Sequence, residues 1–254
     1  EQEAMQRDDW YTTRRCAEEL DDPALVGRIA GERAVARLGG RKVKTGEFPV
    51  LFEAPLAGGL LGSLVHAASG GALYRKSSFL LDQLGKRVMP EFVNISERPH
   101  ITRGRGSAAF DSDGVATRDR EVVSGGILQG YFLSAYTGRK LGMQTTGNAG
   151  GSHNLIIEPG ARDFAGLLAR MGRGLLVTEL LGQGVNYVTG DYSRGAAGYW
   201  VENGMIAYPV EEITIAGNLK AMLAGIVAVG NDVQVRGSKQ TGSILIDRMT
   251  IAGE

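Results

Sequence analysis

The spacing of apolar positions predicts helices in the first part of the chain and short strands in the rest. Residues 1–38 are predicted to be helical. One helix is predicted to begin at Asp22-Pro23, because an aspartate N-cap followed by proline at the first helical position is a typical helix start. Apolar residues then recur at helical spacing until Gly39-Gly40 ends the run.

The next two segments are predicted to be a strand and a helix of small residues. Residues 41–53 are expected to form one strand or two short ones, and residues 55–69 a helix. The stretch from Ala54 to Tyr74 has no carboxylate, lysine or arginine, and it is long enough to span a bilayer. Its glycines, serines, proline and histidine disfavour membrane insertion. We therefore expect a helix buried within protein and no membrane partner.

From about residue 87 onward, short apolar runs between turn residues predict strands. The clearest hairpin is predicted around Asn203-Gly204, because Asn-Gly suits a type I′ turn. A second hairpin is predicted around residues 124–126. The other predicted strands are 88–95, 108–110, 155–157 and 244–251, and two short helices are predicted at 163–171 and from the N-cap Asn218 to about Ile226.

Helices first and strands afterwards predict an α+β fold. We expect N-terminal helices followed by a predominantly antiparallel β-sheet domain, arranged as a sandwich or a barrel.

Composition narrows the functional classes. The 28 Lys and Arg residues balance 28 Asp and Glu, so the chain offers no electrostatic attraction for nucleic acid or anionic lipid. A single cysteine, Cys16, excludes a disulfide framework and a multi-cysteine zinc module, and it fits a reducing cytosol. The 38 glycines predict many tight turns and close backbone contacts. The first residues carry no initiator methionine or signal segment, which suggests a fragment of a longer protein.

Common catalytic and nucleotide-binding motifs do not match the chain. The glycine-rich segments fit neither G-x-G-x-x-G nor the Walker A motif. Asp111-x-Asp113-Gly114 could begin a calcium loop, but position twelve of that loop is Val122 rather than glutamate, so a turn capped by aspartate is predicted. No serine stands in G-x-S-x-G, and Cys16 is predicted to be a structural or surface thiol.

His66, in the small-residue helix, is the residue on which a metal site would depend. A zinc hydrolase places two histidines on one helix face and a glutamate beside the first. Here Ala67 follows His66, and neither residue 70 nor residue 71 is histidine. From the residues alone, a buried, hydrogen-bonded His66 is predicted rather than a ligand. The alternative is an active metallopeptidase that uses His66 with His100 or His153.

Six segments carry a resemblance that covers nearly the whole chain. They are EAPLAGGLLGSLVHAASGGALYRKSSFL at 53–80, FDSDGVAT at 110–117, GGILQGYFLSAYTGRKLG at 125–142, TTGNAGGSHNL at 145–155, VNYVTGDYSRGAAGYWVENGMIAYPVEEITIAGNL at 185–219, and the tail at 242–253. These segments resemble the TldD/PmbA family, also called modulators of DNA gyrase, and specifically its PmbA (TldE) branch.

The resemblance implies a domain arrangement and an activity. Residues 1–54 are expected to be the end of a preceding α/β region, and residues 55–254 the C-terminal domain of this family. The implied activity is metal-dependent proteolysis of small or unfolded peptides, linked to antitoxin degradation and to maturation of a peptide antibiotic. The TldD branch carries H-E-x-x-x-H and a C-terminal cysteine that bind zinc, whereas PmbA-branch proteins are understood as its metal-free partners.

The chain departs from the TldD motif at three of its four positions. His66 matches the first histidine, while Ala67, Gly71 and Val229 stand in place of the glutamate, the second histidine and the cysteine. The resemblance therefore implies a degenerate motif with no intact catalytic residue, no metal ligand set and no cofactor in this chain. Zinc is expected in a TldD-type partner, in a cytoplasmic heterodimer, and a homodimer is expected as an option for the chain alone.

An unfolded peptide is the expected substrate, bound as an added strand at a sheet edge. The candidate binding residues are Gly147 and Asn148 as backbone donors, and Tyr187, Tyr192, Tyr199 and Trp200 as the wall of a channel. Aromatic residues in strands also pack in cores, and Gly-Asn runs also form turns, so both alternatives stay open. A second functional class is a non-proteolytic modulator of DNA gyrase or of a toxin–antitoxin pair.

Overall fold

Two β-sheets organise residues 5–254, the part of the chain that the computed structural model describes. The helices are α1 (Pro23–Ala36), α2 (Ala54–Ala67), α3 (Gly70–Tyr74), α4 (Ala135–Leu141), α5 (Phe164–Met171) and α6 (Leu219–Ala224), with a 3₁₀ turn at Ala17–Glu19. The strands are β1 (Gly46–Phe52), β2 (Ile95–Glu97), β3 (Arg120–Ser124), β4 (Ile127–Leu128), β5 (Leu155–Ile157), β6 (Gly174–Leu181), β7 (Asp191–Glu202), β8 (Met205–Asn218), β9 (Ile226–Val229), β10 (Lys239–Gln240) and β11 (Ile244–Ala252).

The first sheet closes into a five-stranded barrel. Its order is β1-β6-β7-β8-β11, and β11 returns to pair with β1, so each of these strands has a neighbour on both sides. The pairs are antiparallel except for β1 with β6, and β9 adds to the first half of β11. Closure protects the strand edges from pairing with other chains. The predicted α+β class with a mostly antiparallel, barrel-like domain is confirmed.

The second sheet has the order β10-β5-β2-β3-β4. It is antiparallel except for the parallel pair of β10 and β5. The predicted hairpin around residues 124–126 is its β3–β4 pair, turned by Gly125 and Gly126 with φ of +55° and +75°.

The clearest predicted hairpin joins β7 to β8. Glu202 pairs with Met205, and the two residues between them, Asn203 and Gly204, have φ of +52° and +73°. Positive φ at both central residues is the requirement of a type I′ turn, and Asn and Gly tolerate it best. The prediction is confirmed, because this turn is set by local backbone sterics.

The N-terminal part is only partly helical. Helix α1 begins where it was predicted, with the Asp22 side chain accepting from the Ala24 N–H at 2.7 Å. Residues 5–16 have no regular structure, so the helical prediction there is wrong, and residues 1–4 lie outside the described part. A long-range contact holds this segment instead. The guanidinium carbon of Arg236 lies over the Trp10 ring, 3.7 Å from the centroid of that ring.

The strand predictions for residues 88–95 and 108–110 are also wrong in large part. In the first, only Ile95 is in a strand, and the N–H groups of Val88 and Met89 both donate to the Gly126 carbonyl. In the second, Phe110 forms a single bridge with Ala116. At residues 88 and 89, hydrogen bonds to one distant carbonyl replace the strand ladder that the alternation of apolar residues suggests.

Helix α2 connects the two sheets through the core. Its residues Ala57, Leu60, Leu64 and Ala67 are buried in a core cluster that contains residues of both sheets. This confirms the predicted buried helix of small residues. No helix among residues 5–254 is long and apolar enough to cross a membrane.

Candidate functional site

One face of α2 forms a wall of a cavity of about 340 Å³. Gly59, Gly62, Ser63 and His66 line it, because residues three or four apart share one face of a helix. A side chain at Gly59 would meet nothing within 4 Å, so this glycine leaves open space beside the helix. The opposite wall comes from the end of β6, the segment after it and the start of β7, with Leu180, Gln183, Val185, Tyr187, Tyr192 and Arg194.

His66 is exposed and stacks on Tyr187 across the cavity wall. The two ring centroids are 3.9 Å apart and the ring planes are inclined by 27°. The prediction of a buried His66 is wrong, because the face of α2 that packs into the core carries Ala57, Leu64 and Ala67, and position 66 lies on the cavity side. The stack holds the imidazole beside the open space.

Arg194 and Tyr192 lie on β7 and share one face of that strand, because alternate residues point the same way. Tyr192 is buried, and this burial raises its pKa, while the nearby positive charge of Arg194 opposes the shift. The Nε of Arg194 is buried and has no hydrogen-bond partner within residues 5–254. The cavity lining described above contains no carboxylate, so it carries a net positive charge.

The other three positions that the resemblance compares with a zinc motif, Ala67, Gly71 and Val229, do not line this cavity. Ala67 is buried on the core side of α2. Gly71 belongs to α3 rather than α2, since α2 ends at Ala67 and Ser69 caps the next helix through a bond from the Ala72 N–H. Val229 is a buried apolar residue of β9. These side chains offer neither a zinc ligand nor a base, so the positions do not fit zinc.

The two remaining histidines also lie outside the cavity. His100 Nε2 is 3.0 Å from Thr117 Oγ1, and the His153 ring nitrogens are 3.3 Å and 3.0 Å from the carbonyl oxygens of Gly106 and Gly147. Within residues 5–254, no group of three or more His, Cys, Asp or Glu side chains is arranged to hold a metal ion. The structure therefore does not bring His66 together with His100 or His153 in one site.

Gly147 and Asn148 belong to a buried polar network beside the second sheet. The Asn148 amide donates to Glu97 Oε1 at 2.8 Å, and Glu97 also accepts from Arg120 Nε at 2.6 Å. The N–H groups of Gly147 and Asn148 donate to the Thr145 hydroxyl and the Leu133 carbonyl. These backbone donors are thus engaged internally, and Asn148 does not line the cavity of His66.

The structure separates the four candidate aromatic residues into two sets. Tyr187 and Tyr192 line the cavity, whereas Trp200 packs edge-on against Phe48 at a centroid distance of 4.9 Å. Tyr199 packs against a second core cluster. Trp200 lies eight residues beyond Tyr192 on one strand, roughly 26 Å away at the usual rise. Only the first pair can act with His66.

Sequence reasoning missed Arg194 and Gln183, which lie on this cavity. Tyr192, Arg194 and Ala196 alternate along β7, but the sequence analysis predicts no strand over these residues, so it gives no signal for Arg194. Gln183 follows β6 in an irregular segment, and no sequence pattern distinguishes it.

The Asp111 turn is confirmed as a capped turn. Asp111 Oδ1 accepts from the N–H groups of Asp113 and Val115, and Oδ2 accepts from Ala149, each at 2.9 Å. Burial by itself would raise the pKa of Asp111, but these backbone hydrogen bonds outweigh it and hold the pKa below its usual range. The carboxylate therefore stabilises the loop as an anion.

Substitution Asp111→Asn is expected to lower the free energy of unfolding by about 1–2 kcal/mol near neutral pH, because the amide NH₂ cannot accept these bonds. Since the folded pKa is lowered, the loss is full above the unfolded-state pKa of about 3.9 and disappears as pH falls through the folded value. Urea titrations of both proteins across this range measure it. The exposed Asp119→Asn is the control, and equal losses in both variants would contradict the role of Asp111.

The chain matches known proteins over almost its whole length. Residues 45–253 match the family model for the PmbA/TldA metallopeptidase C-terminal domain. The chain is 52% identical over 253 residues to a Metalloprotease PmbA homolog of Haemophilus influenzae, covering 99% of this chain and 56% of that protein. It is 51% identical over 250 residues to Metalloprotease PmbA of Escherichia coli O157:H7, covering 98% of this chain and 56% of that protein.

A solved structure shares the fold. The crystal structure of a candidate modulator of DNA gyrase from Bacteroides thetaiotaomicron matches with a TM-score of 0.91 and 31% identity. The match covers 96% of this chain and 55% of that one. The chain thus spans a little more than half the length of the relatives that it matches.

Proposed function

Because the chain belongs to the PmbA/TldA metallopeptidase C-terminal domain family, we propose that it is the peptide-binding, non-catalytic part of a metalloprotease acting on small or unfolded peptides. The cavity of His66 supports this proposal. Its wall has aromatic and hydrogen-bonding side chains, while the motif positions Ala67 and Gly71, which do not line it, carry neither a base nor a metal ligand. Binding groups without the catalytic groups suit a subunit that holds peptide for another subunit to cleave.

The residues of the cavity can bind and orient an extended chain. The stacked rings of His66 and Tyr187 offer a flat apolar surface, and Gln183 offers an amide that both donates and accepts hydrogen bonds. The open space at Gly59 lets a backbone approach α2 closely. We assign no bond-breaking step to these side chains.

We place zinc and the catalytic base on a TldD-type partner, in a cytoplasmic heterodimer, with a homodimer as the state of the chain alone. The names of the PmbA relatives support a role in a metalloprotease. A free Cys16 and a balanced charge are compatible with the cytoplasm. Antitoxins and peptide-antibiotic precursors are the substrates that we propose.

Cleavage of an unfolded peptide is expected only when a TldD-type partner is added, and it should be abolished by a chelator. In the mixture, His66→Ala should raise KM by about tenfold while kcat changes by less than about twofold, because the lost stack binds substrate without acting in the chemical step. His100→Ala, outside the cavity, is the matched control. Steady-state kinetics and metal content of each purified protein measure these effects.

Two outcomes would overturn the proposal. One is about one zinc per chain in the protein without partner, lost in His66→Ala, with chelator-sensitive cleavage by the chain alone. That result would establish an active metallopeptidase. The other is an unchanged KM in His66→Ala, which would remove the cavity from substrate binding.

A second candidate function is non-proteolytic modulation of DNA gyrase, or of a toxin–antitoxin pair. The description of the Bacteroides thetaiotaomicron structure favours the gyrase alternative. If the chain has this function, it should bind gyrase, or the toxin–antitoxin pair, without a TldD-type partner. A chelator should not change the affinity. Pull-down with and without chelator distinguishes the two candidates.

A further inference from the structure

Arg194 is a cation in the cavity wall whose charge has no counter-ion there. The lining of the cavity contains no Asp or Glu, and the ion pairs formed among residues 5–254 use other cations. The Nε–H of Arg194 is buried and without a partner in this part of the chain. A buried donor left unpaired costs free energy, which a ligand acceptor at the same place would recover.

The surroundings of Arg194 favour a singly charged, planar acceptor. A guanidinium presents parallel N–H groups that match the two oxygens of a carboxylate. The Tyr192 hydroxyl group lies near this guanidinium on the same face of β7 and adds a hydrogen-bond donor. A lone arginine balances one negative charge, which suits a carboxylate better than a phosphate dianion.

The rest of the cavity fits the chain that would carry such a group. The volume of about 340 Å³ accommodates a short peptide end, and the wall beside Arg194 includes Leu180 and the stacked His66–Tyr187 pair. An apolar side chain next to the carboxylate would contact these surfaces. The site therefore combines one charged anchor with apolar walls.

We propose that this cavity binds a carboxylate of a peptide, with Arg194 as the charged anchor and Tyr192 as its neighbouring donor. The inference rests on the proposed peptide-binding function and specifies its substrate class. The carboxylate can come from the C-terminus of the peptide or from an Asp or Glu side chain, since both present the same pair of oxygens. Arg194 binds and positions the peptide and takes no part in bond breaking.

The test uses the full chain and three blocked dipeptides. They are N-acetyl-Ala-Phe with a free carboxylate, the same peptide as an amide, and N-acetyl-Glu-Phe amide. The free-carboxylate peptide should bind at least about tenfold more tightly than its neutral amide, as expected for a charge-assisted pair. Titration calorimetry measures the affinities. The glutamyl amide shows whether a side-chain carboxylate serves equally well.

A second readout reports on the unpaired donor itself. The Arg194 Nε–H resonance, assigned through its loss in Arg194→Lys, should shift on addition of the carboxylate peptide and stay in place with the neutral amide. Arg194→Gln should remove the difference in affinity between the two peptides. Arg248→Gln removes an exposed barrel cation and should keep that difference, which makes it the matched control.

The outcomes separate the carboxylate site from the proposed function. Equal affinities for carboxylate and amide, or a difference that survives in Arg194→Gln, would overturn the carboxylate site while peptide binding stands. If neither neutral nor charged peptides bind and the Nε–H resonance does not move, the carboxylate site and the proposed peptide-binding function are both overturned. Circular dichroism and thermal unfolding of Arg194→Gln check that the variant is folded.

Discussion

Replacement of Gly198 by alanine is expected to lower the free energy of unfolding by about 3 kcal/mol. Gly198 lies in β7, paired with Val177 of β6 and with Val210 of β8. A Cβ there would lie 1.9 Å from the Leu176 carbonyl oxygen and 2.9 Å from its carbon. Both are backbone atoms of a paired strand, so they cannot move away without breaking ladder hydrogen bonds of the barrel.

Chemical denaturation of the wild type and Gly198→Ala measures this effect. The matched control is Gly27→Ala in α1, where an added Cβ meets nothing within 4 Å. There the same substitution should stabilise by up to about 1 kcal/mol, because alanine favours helix over glycine. A loss below about 0.5 kcal/mol in Gly198→Ala, the range of ordinary surface changes, would show that the barrel is looser at this point than the structure indicates.

Arg33→Met is expected to cost about 3 kcal/mol, because it removes one partner from a mostly buried ion network. Arg33 Nη1 and Nη2 donate to the two carboxylate oxygens of Glu53 at 2.7 Å and 3.0 Å, and Nε donates to Asp8 at 3.1 Å. Burial opposes the charge of Arg33, but the bonds and charges of Glu53 and Asp8 outweigh it and raise its pKa. Without Arg33, the two carboxylates would remain close together with less compensation.

Thermal unfolding of Arg33→Met should show a Tm lower by roughly 6 °C or more, given about 2–4 °C per kcal/mol in a protein of this size. Arg28→Met is the control on the same helix. Its pairing with Glu32 is exposed, with side-chain exposures of 65% and 63%, so its loss should cost less than about 0.5 kcal/mol. Similar Tm shifts in the two variants would mean that burial of the ion network does not increase its contribution to the stability of the fold.

Local signals were sufficient for several elements of the fold. The caps Asp22, Asp163 and Asn218 each accept a backbone N–H at the helix start that the sequence predicts. The Asn203-Gly204 turn is another such element. In each case the deciding contacts lie within a few residues, so side-chain chemistry and backbone sterics at that point determine the outcome.

Local sequence patterns identify only some of the residues of the candidate site. The identities of His66, Ala67 and Gly71 are read directly from the sequence, and it is the family resemblance that implies a degenerate motif at these positions. The partner of His66 in the wall, Tyr187, was one of four aromatic candidates that no local feature could rank. Arg194 was not predicted, because its unpaired Nε is a property of the folded surroundings.

The amino-acid sequence is sufficient to predict the α+β class, the helix caps and the hairpin turns. Three features are visible only in the folded chain: residues 5–16 pack without helix, β11 closes the barrel on β1, and β7 carries Arg194 to the wall opposite α2. The physical reason is the range of the interactions. Caps and turns depend on hydrogen bonds between near neighbours, whereas barrel closure and the cavity depend on packing between segments far apart in sequence, whose free energy appears only when the whole core is assembled.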